Sequence, residues 1–341
     1  MMPTNLSTRS RDEHPVHYLV VALHKLGVSE GDICERLQLD KTRLFDPDAV
    51  SSAENYLNLF EWAARQLGDA SLGLHITEVA EPRQFGLLGY LVDNAATVRD
   101  MCLFLDHYYQ TFTGYFDLTF SMNGGMCSFR YLADSFPGNE TRQDVDLTLG
   151  TLVRAFRKKL GPDWRPKSCS FTFPKPQDLT AYRRIFGADI RFDQTENRLT
   201  FAASTLRQEI HGSDPGLLVI LRNQADAILA QPWCDQSLAR KVRLILSSRI
   251  GQAEMRAELM AEHLNMSATN LRRRLNDEET SFRRLRLDVL QAAAREALEL
   301  TDKSVSEISE DLGYAEISAF NRAFKREEGI SPLQFRKRAI S

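Results

Sequence analysis

The stretch "NRAFKREEGISPLQFR", residues 321–336, sets phenylalanines among basic residues. Phe320, just ahead of it, and Phe324 stand four apart, so on a helix they lie one above the other as a buried side. Ser318 and Arg322 are also four apart and point elsewhere. The same pattern occurs upstream: "AELMAEHLNMSATNLRRRL" (257–275) aligns with "VSEISEDLGYAEISAFNRAF" (305–324). Glu262 and Leu264 match Glu310 and Leu312, and after one inserted residue Leu271 and Leu275 match Phe320 and Phe324. Each copy reads as a short helix, a tight turn at Asn265 or Gly313, and a second helix, which is the helix-turn-helix arrangement. Thr269 and Arg273 take the outer positions that Ser318 and Arg322 take in the later copy.

An exposed arginine on such a helix reaches guanine O6 and N7 with two parallel hydrogen bonds. Between the copies, "SFRRLRLDVLQAAAREALEL" (281–300) runs without a breaker. At 1.5 Å per residue it spans about 30 Å, close to the roughly 34 Å of one DNA turn. A rigid helix of that length holds two recognition helices in successive major-groove segments on one face of the duplex. Ser304 with Glu307 predicts a capping box, and Ser331-Pro332 predicts another helix start, with N–H groups offered to phosphates.

The charge divides accordingly. The chain has 341 residues and a formal net charge of −3, yet from Ser237 onward 19 Lys and Arg stand against 16 Asp and Glu, leaving 24 against 30 before it. Opposite signs in two parts suggest two tasks, one of them with a polyanion. The length suits two or three domains. With 43% hydrophobic and 26% charged residues the composition is that of a globular protein. No apolar run reaches the roughly 18 residues of a membrane span, and the polar start "MMPTNLSTRSRDEH" lacks a secretory signal. A cytoplasmic location is expected. The five cysteines (Cys34, Cys102, Cys127, Cys169, Cys234) are scattered and form no CxxC pair, which predicts free, buried thiols.

Ahead of the repeat, residues 15–210 read as an α+β domain of helices on a small sheet. Helical spacing covers about 17–78, and "AENYLNLFEWAARQLG" puts Tyr56, Leu59, Phe60, Ala63 and Leu67 on one face. A further helix is expected from Thr97 to about Phe112. "YFDLTFSMNGGMCSFRY" alternates around Asn123-Gly124-Gly125 as a hairpin. "NETRQDVDLTLGTLVRAFRKKLG" is helical, and "KSCSFTF" and "RLTF" are strands. Asp144 and Asp146 are expected on the exposed side of a helix start, favourable to its dipole. Gly86 and Gly89 are expected to permit close packing. Residues 211–236 hold a helix capped by Asp214 with Pro215 in its first position, then a linker at "AQPWCDQS". Its seam of Leu217, Leu221, Ala225 and Ile228 fits either the domain's own core or a dimer contact. Residues 237–341 are all-helical.

The stretch 254–338 resembles the DNA-binding domain of AraC/XylS-type bacterial transcription regulators. "SVSEISEDLGYAEISAFNRAFKREEGISPLQFRKR" follows that signature over its length, departing at Ser309, where Ala is usual; in the first repeat Glu279 stands where Gly is frequent. "LHKLGVSEGDICERLQLD", "GDASLGLHI" and "FGLLGYLV" are similar to the arabinose-binding-like domain of one AraC subgroup. The resemblance implies an N-terminal domain that binds a small effector or dimerises, and a C-terminal domain that recruits RNA polymerase to promoters. It implies base-reading residues at Thr269, Arg272, Arg273, Ser318, Asn321 and Arg322, with Arg274 toward phosphate. Lys325 and Arg326 are read as phosphate contacts. Double-stranded DNA, a small effector and a second copy of the chain are the expected partners.

Nothing in the chain calls for a cofactor or a metal. His14 and His17 form an HxxH on an N-terminal tail without a third ligand. No P-loop, nucleophile elbow or catalytic carboxylate pair occurs, so no catalytic residue is assigned. Two rival readings have discriminating features. A repair methyltransferase fused to such a DNA reader requires a zinc-binding cysteine cluster, which the scattered cysteines do not supply. A ligand-independent regulator, whose N-terminal domain only dimerises, is told from a sensor by effector titration in a DNA-binding assay. The segment "HYYQTF" (107–112) reads as mainly core, with the wall of an effector cavity as the alternative.

Overall fold

The alternation around the Asn-Gly-Gly stretch forms an antiparallel hairpin whose strands pair from Asp117 with Leu132 to Asn123 with Met126. The computed structural model describes residues 13–46, 49–79, 82–113, 116–123, 125–133, 140–187, 189–208, 210, 213–229, 238–248, 256–264, 266–301, 303–314 and 316–340. The linker expected at 230–237, with Gly124, Cys234 and Asn265, lies outside them. The chain separates into two units, Met1–Trp233 and Cys234–Ser341.

The first unit begins with β1 (Glu13–Pro15), α1 (His17–Lys25), α2 (Glu30–Leu37), β2 (Val50–Ser52), α3 (Ala53–Gln66) and α4 (Leu72–Val79). It continues with α5 (Gly86–Asp93), α6 (Val98–Thr113), β3 (Asp117–Asn123), β4 (Met126–Leu132) and α7 (Arg142–Leu160). It closes with β5 (Ser168–Ser170), α8 (Thr180–Phe186), β6 (Ile190–Arg191), β7 (Asn197–Ala202) and α9 (Pro215–Leu229). β1 pairs with β2, and the larger sheet has the order β3-β4-β7-β5-β6. It is antiparallel except where β5 meets β6. Along β7, buried and half-buried residues alternate, turning Leu199 and Phe201 inward, as period 2 requires. Helix α7 covers this sheet through Phe156, whose ring meets Phe201 edge-on at 4.9 Å and Trp164 in a stack at 4.4 Å.

Several helix starts follow from their caps. Ser52 accepts from the Asn55 N–H at the head of α3, and Asp214 accepts from the Gly216 and Leu217 N–H groups at the head of α9. On α3, Tyr56, Leu59, Phe60 and Ala63 are buried. Leu67 is not: it stands past the last turn and is 38% exposed. Close approach between α4 and α7 depends on two glycines. A Cβ on Gly73 would lie 2.1 Å from the Gln143 carbonyl oxygen, and one on Gly150 would lie 2.7 Å from Thr77 Cγ2. At Gly86, expected to pack closely, an added Cβ would meet nothing within 4 Å; its φ of +64° shows that a left-handed turn at the start of α5 is what favours glycine there.

The regular elements among the second unit's described residues are all helices: α10 (Leu238–Ser248), α11 (Ala257–His263), α12 (Ala268–Asp277), α13 (Phe282–Leu300), α14 (Val305–Asp311), α15 (Ile317–Glu328) and α16 (Pro332–Ile340). It has two cores. Leu238, Val242, Leu271, Leu275, Leu285 and Val289 form the first. Ala294, Leu298, Ile308, Leu312, Phe320 and Phe324 form the second. The leading half of α13 belongs to one core and the trailing half to the other. Cys102, Cys127 and Cys169 are buried, whereas Cys34 is half-buried.

Candidate nucleic-acid interface and interior cavity

In the first helix-turn-helix, Ser267 caps α12 by accepting from the Asn270 N–H at 3.2 Å. Leu271 and Leu275, 1% and 0% exposed, fasten the helix to its core. That leaves Thr269, Arg272, Arg273 and Arg274 exposed. Arg273 is oriented by its own helix: it donates to Asn270 Oδ1 at 3.1 Å and pairs with Asp277 at 3.5 Å. After Asp277 the chain closes in a Schellman cap. Thr280 N–H donates to the Leu275 carbonyl, Glu279 N–H donates to that of Asn276, and Glu279 takes φ +55°. The glutamate at this frequent glycine position therefore keeps the turn, at the cost of a left-handed backbone. Its neighbour Glu278 has a role that sequence reading missed. Its two carboxylate oxygens accept the Leu238 and Ala239 N–H groups, each at 2.7 Å, capping α10 from 40 residues away.

In the second copy Phe320 and Phe324 are buried, and Phe324 meets Phe335 of α16 edge-on at 5.4 Å. Ser318, Arg322, Lys325 and Arg326 are exposed, and Asn321 is half-buried. The two acids that follow are drawn to α13: Glu327 pairs with Arg284 at 3.5 Å and Glu328 with Arg295 at 3.3 Å. Glu327 also pairs with Arg326 at 3.2 Å. The acidic end of "KREE" thus anchors α15 while the basic part stays outside. The Ser304 start carries the expected capping box with Glu307, and Ser331 with Gln334 forms a second. Each box bonds the N–H groups of its own first and fourth residues within the protein.

The seam on α9 divides as well. Ala225 and Ile228 are 0% and 3% exposed, Leu221 is half-buried, and Leu217 is 41% exposed. The helix packs this face on α5 and α6. Its outward apolar residues are Leu217, Val219 and Ile220, the last two 57% and 66% exposed.

Within the first unit α1, α5, α6, α7 and α9 enclose a cavity of about 360 Å³. Tyr18, Phe85, Tyr109, Phe112, Leu152 and Ile228 are among its walls. From the "HYYQTF" segment Tyr109 and Phe112 reach the cavity, while Tyr108 donates to Asp226 of α9 at 2.7 Å. His14 is no tail residue: it lies in β1, 2% exposed, with Nδ1 at 2.9 Å from the Thr113 carbonyl. Its Nε2 stands 3.3 Å from the Tyr18 hydroxyl, which donates to Tyr56 at 2.6 Å, which donates in turn to Asp144 at 2.7 Å. Tyr131 closes the chain on the other Asp144 oxygen at 2.5 Å.

Asp144 and Asp146 are therefore not an exposed helix start, being 2% and 0% exposed. Burial raises the Asp144 carboxyl to about 6, opposed by the tyrosine hydrogen bonds. Burial likewise raises Asp146 to about 8, against a hydrogen bond from Tyr182 at 2.5 Å and the Arg142 charge at 3.8 Å. Both side chains reach back into the core because their partners belong to other helices and strands.

Residues 27–210 match the model of the arabinose-binding N-terminal domain of AraC transcription regulators, and 260–338 match a helix-turn-helix domain model. The ornithine utilization regulator of Pseudomonas aeruginosa is 24% identical over 326 residues, covering 95% of this chain and 96% of its own. The regulator VirS of Mycobacterium tuberculosis is 24% identical over 316 residues, 92% of each chain. The crystal structure of the transcriptional regulator CdpR from Pseudomonas aeruginosa aligns over 94% of this chain and 98% of its own, at 18% identity and a TM-score of 0.42. None of the described helices is long and apolar enough to cross a membrane. With the N-terminal family match spanning more than half the chain and a helix-turn-helix match behind it, the chain belongs to the AraC-type helix-turn-helix transcription regulators.

Proposed function

We propose that the protein is an effector-responsive activator that reads two successive major-groove segments of a promoter with α12 and α15. The observation that carries this reading is the pair of separate cores sharing α13, each turning an arginine-bearing helix face outward. With 19 residues, α13 is about 28 Å long, a length suited to one helical turn of DNA. Thr269, Arg272, Arg273, Ser318, Asn321 and Arg322 read bases; Arg274, Lys325 and Arg326 contact phosphate. These basic residues supply the charge for phosphate affinity.

The N-terminal unit senses a small molecule in its cavity and pairs with a second copy through the outward apolar residues of α9. Its negative balance disfavours a role against phosphate. Bound to its promoter in the cytoplasm, the dimer recruits RNA polymerase and catalyses no reaction. Titrating a metabolite panel into operator binding by the full-length protein tests the sensing step: at least one compound should shift the affinity, and a panel without effect favours the ligand-independent alternative. Sedimentation of the Leu217→Glu/Ile220→Glu variant tests the pairing. A folded variant that sediments like wild type removes α9 from the interface.

A further inference from the structure

The polar side chains in the cavity wall are, for the most part, already committed within the protein. Arg154 donates to the Thr77 carbonyl and has further interactions beside it. His14 places Nδ1 at 2.9 Å from the Thr113 carbonyl, and the Thr113 hydroxyl donates to the Tyr109 carbonyl at 2.9 Å. Tyr18 gives its hydroxyl proton to Tyr56 at 2.6 Å, and Thr148 and Tyr109 bond each other at 3.2 Å. His17, Gln84 and Tyr90 are engaged as well, and Gln224 is solvent-exposed, so it stands at the mouth. A charged head would exchange its water for groups already bonded elsewhere. Burial in that state is costly enough that the head enters in its neutral form instead. Among the described residues of the wall there is no Asp or Glu to receive an ammonium. Thr151, on α7, is in a different state: its buried hydroxyl has no hydrogen-bond partner, and such a group calls for one. As a donor it suits an uncharged oxygen. Phe85, Leu105, Phe112, Leu147, Leu152 and Ile228 make much of the remaining surface apolar. About 360 Å³ falls within the size range of small-molecule sites.

We infer that the cavity binds an uncharged, largely apolar molecule with a single neutral hydrogen-bonding oxygen, which the Thr151 hydroxyl meets while the apolar wall encloses the body. The inference rests on the reading of this cavity as the effector site and names the class of effector.

Three probes of similar size that differ in the head decide it: 4-phenylbutan-2-one, 4-phenylbutyrate and 4-phenylbutylamine, titrated calorimetrically into the full-length protein at pH 6, 7 and 8. A carboxyl titrates about two to three units below pH 7 and an alkyl ammonium about three above it. Entry in the neutral form should therefore leave the acid and the amine each about a hundredfold or more weaker than the ketone at pH 7. Measured against the ketone, the acid should gain about tenfold per unit as pH falls, and the amine should lose as much. Lengthening the ketone to 6-phenylhexan-2-one should tighten binding by roughly an order of magnitude. Thr151→Val should weaken the ketone about three- to tenfold, leave butylbenzene unchanged, and melt no earlier than wild type, because it removes the unbonded hydroxyl. The inference is overturned if the ketone fails to bind at millimolar concentration, or if acid or amine binds as tightly at pH 7. It is also overturned if their affinities do not follow pH relative to the ketone, or if a folded Thr151→Val variant binds the ketone as wild type does. Should Thr151→Val not fold, the charge series still decides. Ketone binding that leaves operator affinity unchanged would refute the effector reading and keep the ligand class. An operator response to a charged metabolite without ketone binding would do the reverse.

Discussion

Replacing Arg273 and Arg322 by alanine, singly and together, asks whether the two halves of the C-terminal unit read DNA as independent modules. Neither arginine touches a core, and both are exposed, so truncation should leave the fold intact. The Arg273–Asp277 pair is 69% and 63% exposed, and exposed pairs contribute less than about 1 kcal/mol. A bidentate arginine–guanine contact discriminates against wrong bases by about 1–3 kcal/mol, roughly fivefold to 150-fold in affinity. Arg273 must leave Asn270 and Asp277 to reach a base, so Arg273→Ala belongs near the lower end of that range and Arg322→Ala near the upper. The side chains of one core do not enter the other, and distant sites add to within about 0.5 kcal/mol. The double variant should then lose about the sum, which removes nearly all preference for the operator. Fluorescence anisotropy with operator and random duplexes at one salt concentration reads these ratios. Lys325→Ala and Arg326→Ala should weaken both duplexes alike and lower the salt slope by about one each. Either arginine variant retaining the wild-type operator-to-random ratio refutes its assignment. A double variant no worse than the weaker single one means that only one helix reads bases.

The remaining expectations concern stability. Asp146 holds a proton in the folded state up to about pH 8, but an unfolded aspartate releases it near 4. Its contribution is thus full below about pH 4 and declines as pH rises toward 8, by about 1.4 kcal/mol per unit. Denaturant melts between pH 6 and 8 should show that fall in wild type and a flatter profile in Asp146→Asn; parallel profiles contradict the buried proton. Glu279→Gly should raise stability by about 1 kcal/mol by relieving the φ of +55°, and a lower melting point would mean the glutamate side chain is needed. Gly73→Ala places a Cβ 2.1 Å from the Gln143 carbonyl and should cost at least about 2–3 kcal/mol. An unchanged melt would show that α4 and α7 part easily.

What could be read from sequence was what neighbours in the chain decide. The helix-turn-helix units, the caps at Asp214 and Ser304, and the β3–β4 hairpin all arise from residues within a few positions of one another, and local pattern exposes them. The misread features have partners far along the chain. Asp144 and Asp146 resemble a charged helix start until Tyr56, 88 residues earlier, and Tyr182, 36 later, are brought against them. Their buried state comes from packing that no local pattern encodes. Glu278 carries no local signal of its capping role because the N–H groups it caps are about 40 residues away. The α9 seam had the right spacing for an interface, but spacing says only that residues share a face, not which surface covers it; α5 and α6 take Ala225 and Ile228. The same distinction applies to the cavity. Tyr109 and Phe112 were visible as an aromatic run, whereas Thr151 and Arg154 were two polar positions on a long amphipathic helix. Only the packing of α1, α5, α6 and α9 around them makes them parts of one wall. A helix that covers the sheet with Phe156 must turn its other face to something, and here that face meets the cavity as well as the core. The polar residues of the cavity wall are therefore ones that a sequence pattern alone would leave to solvent.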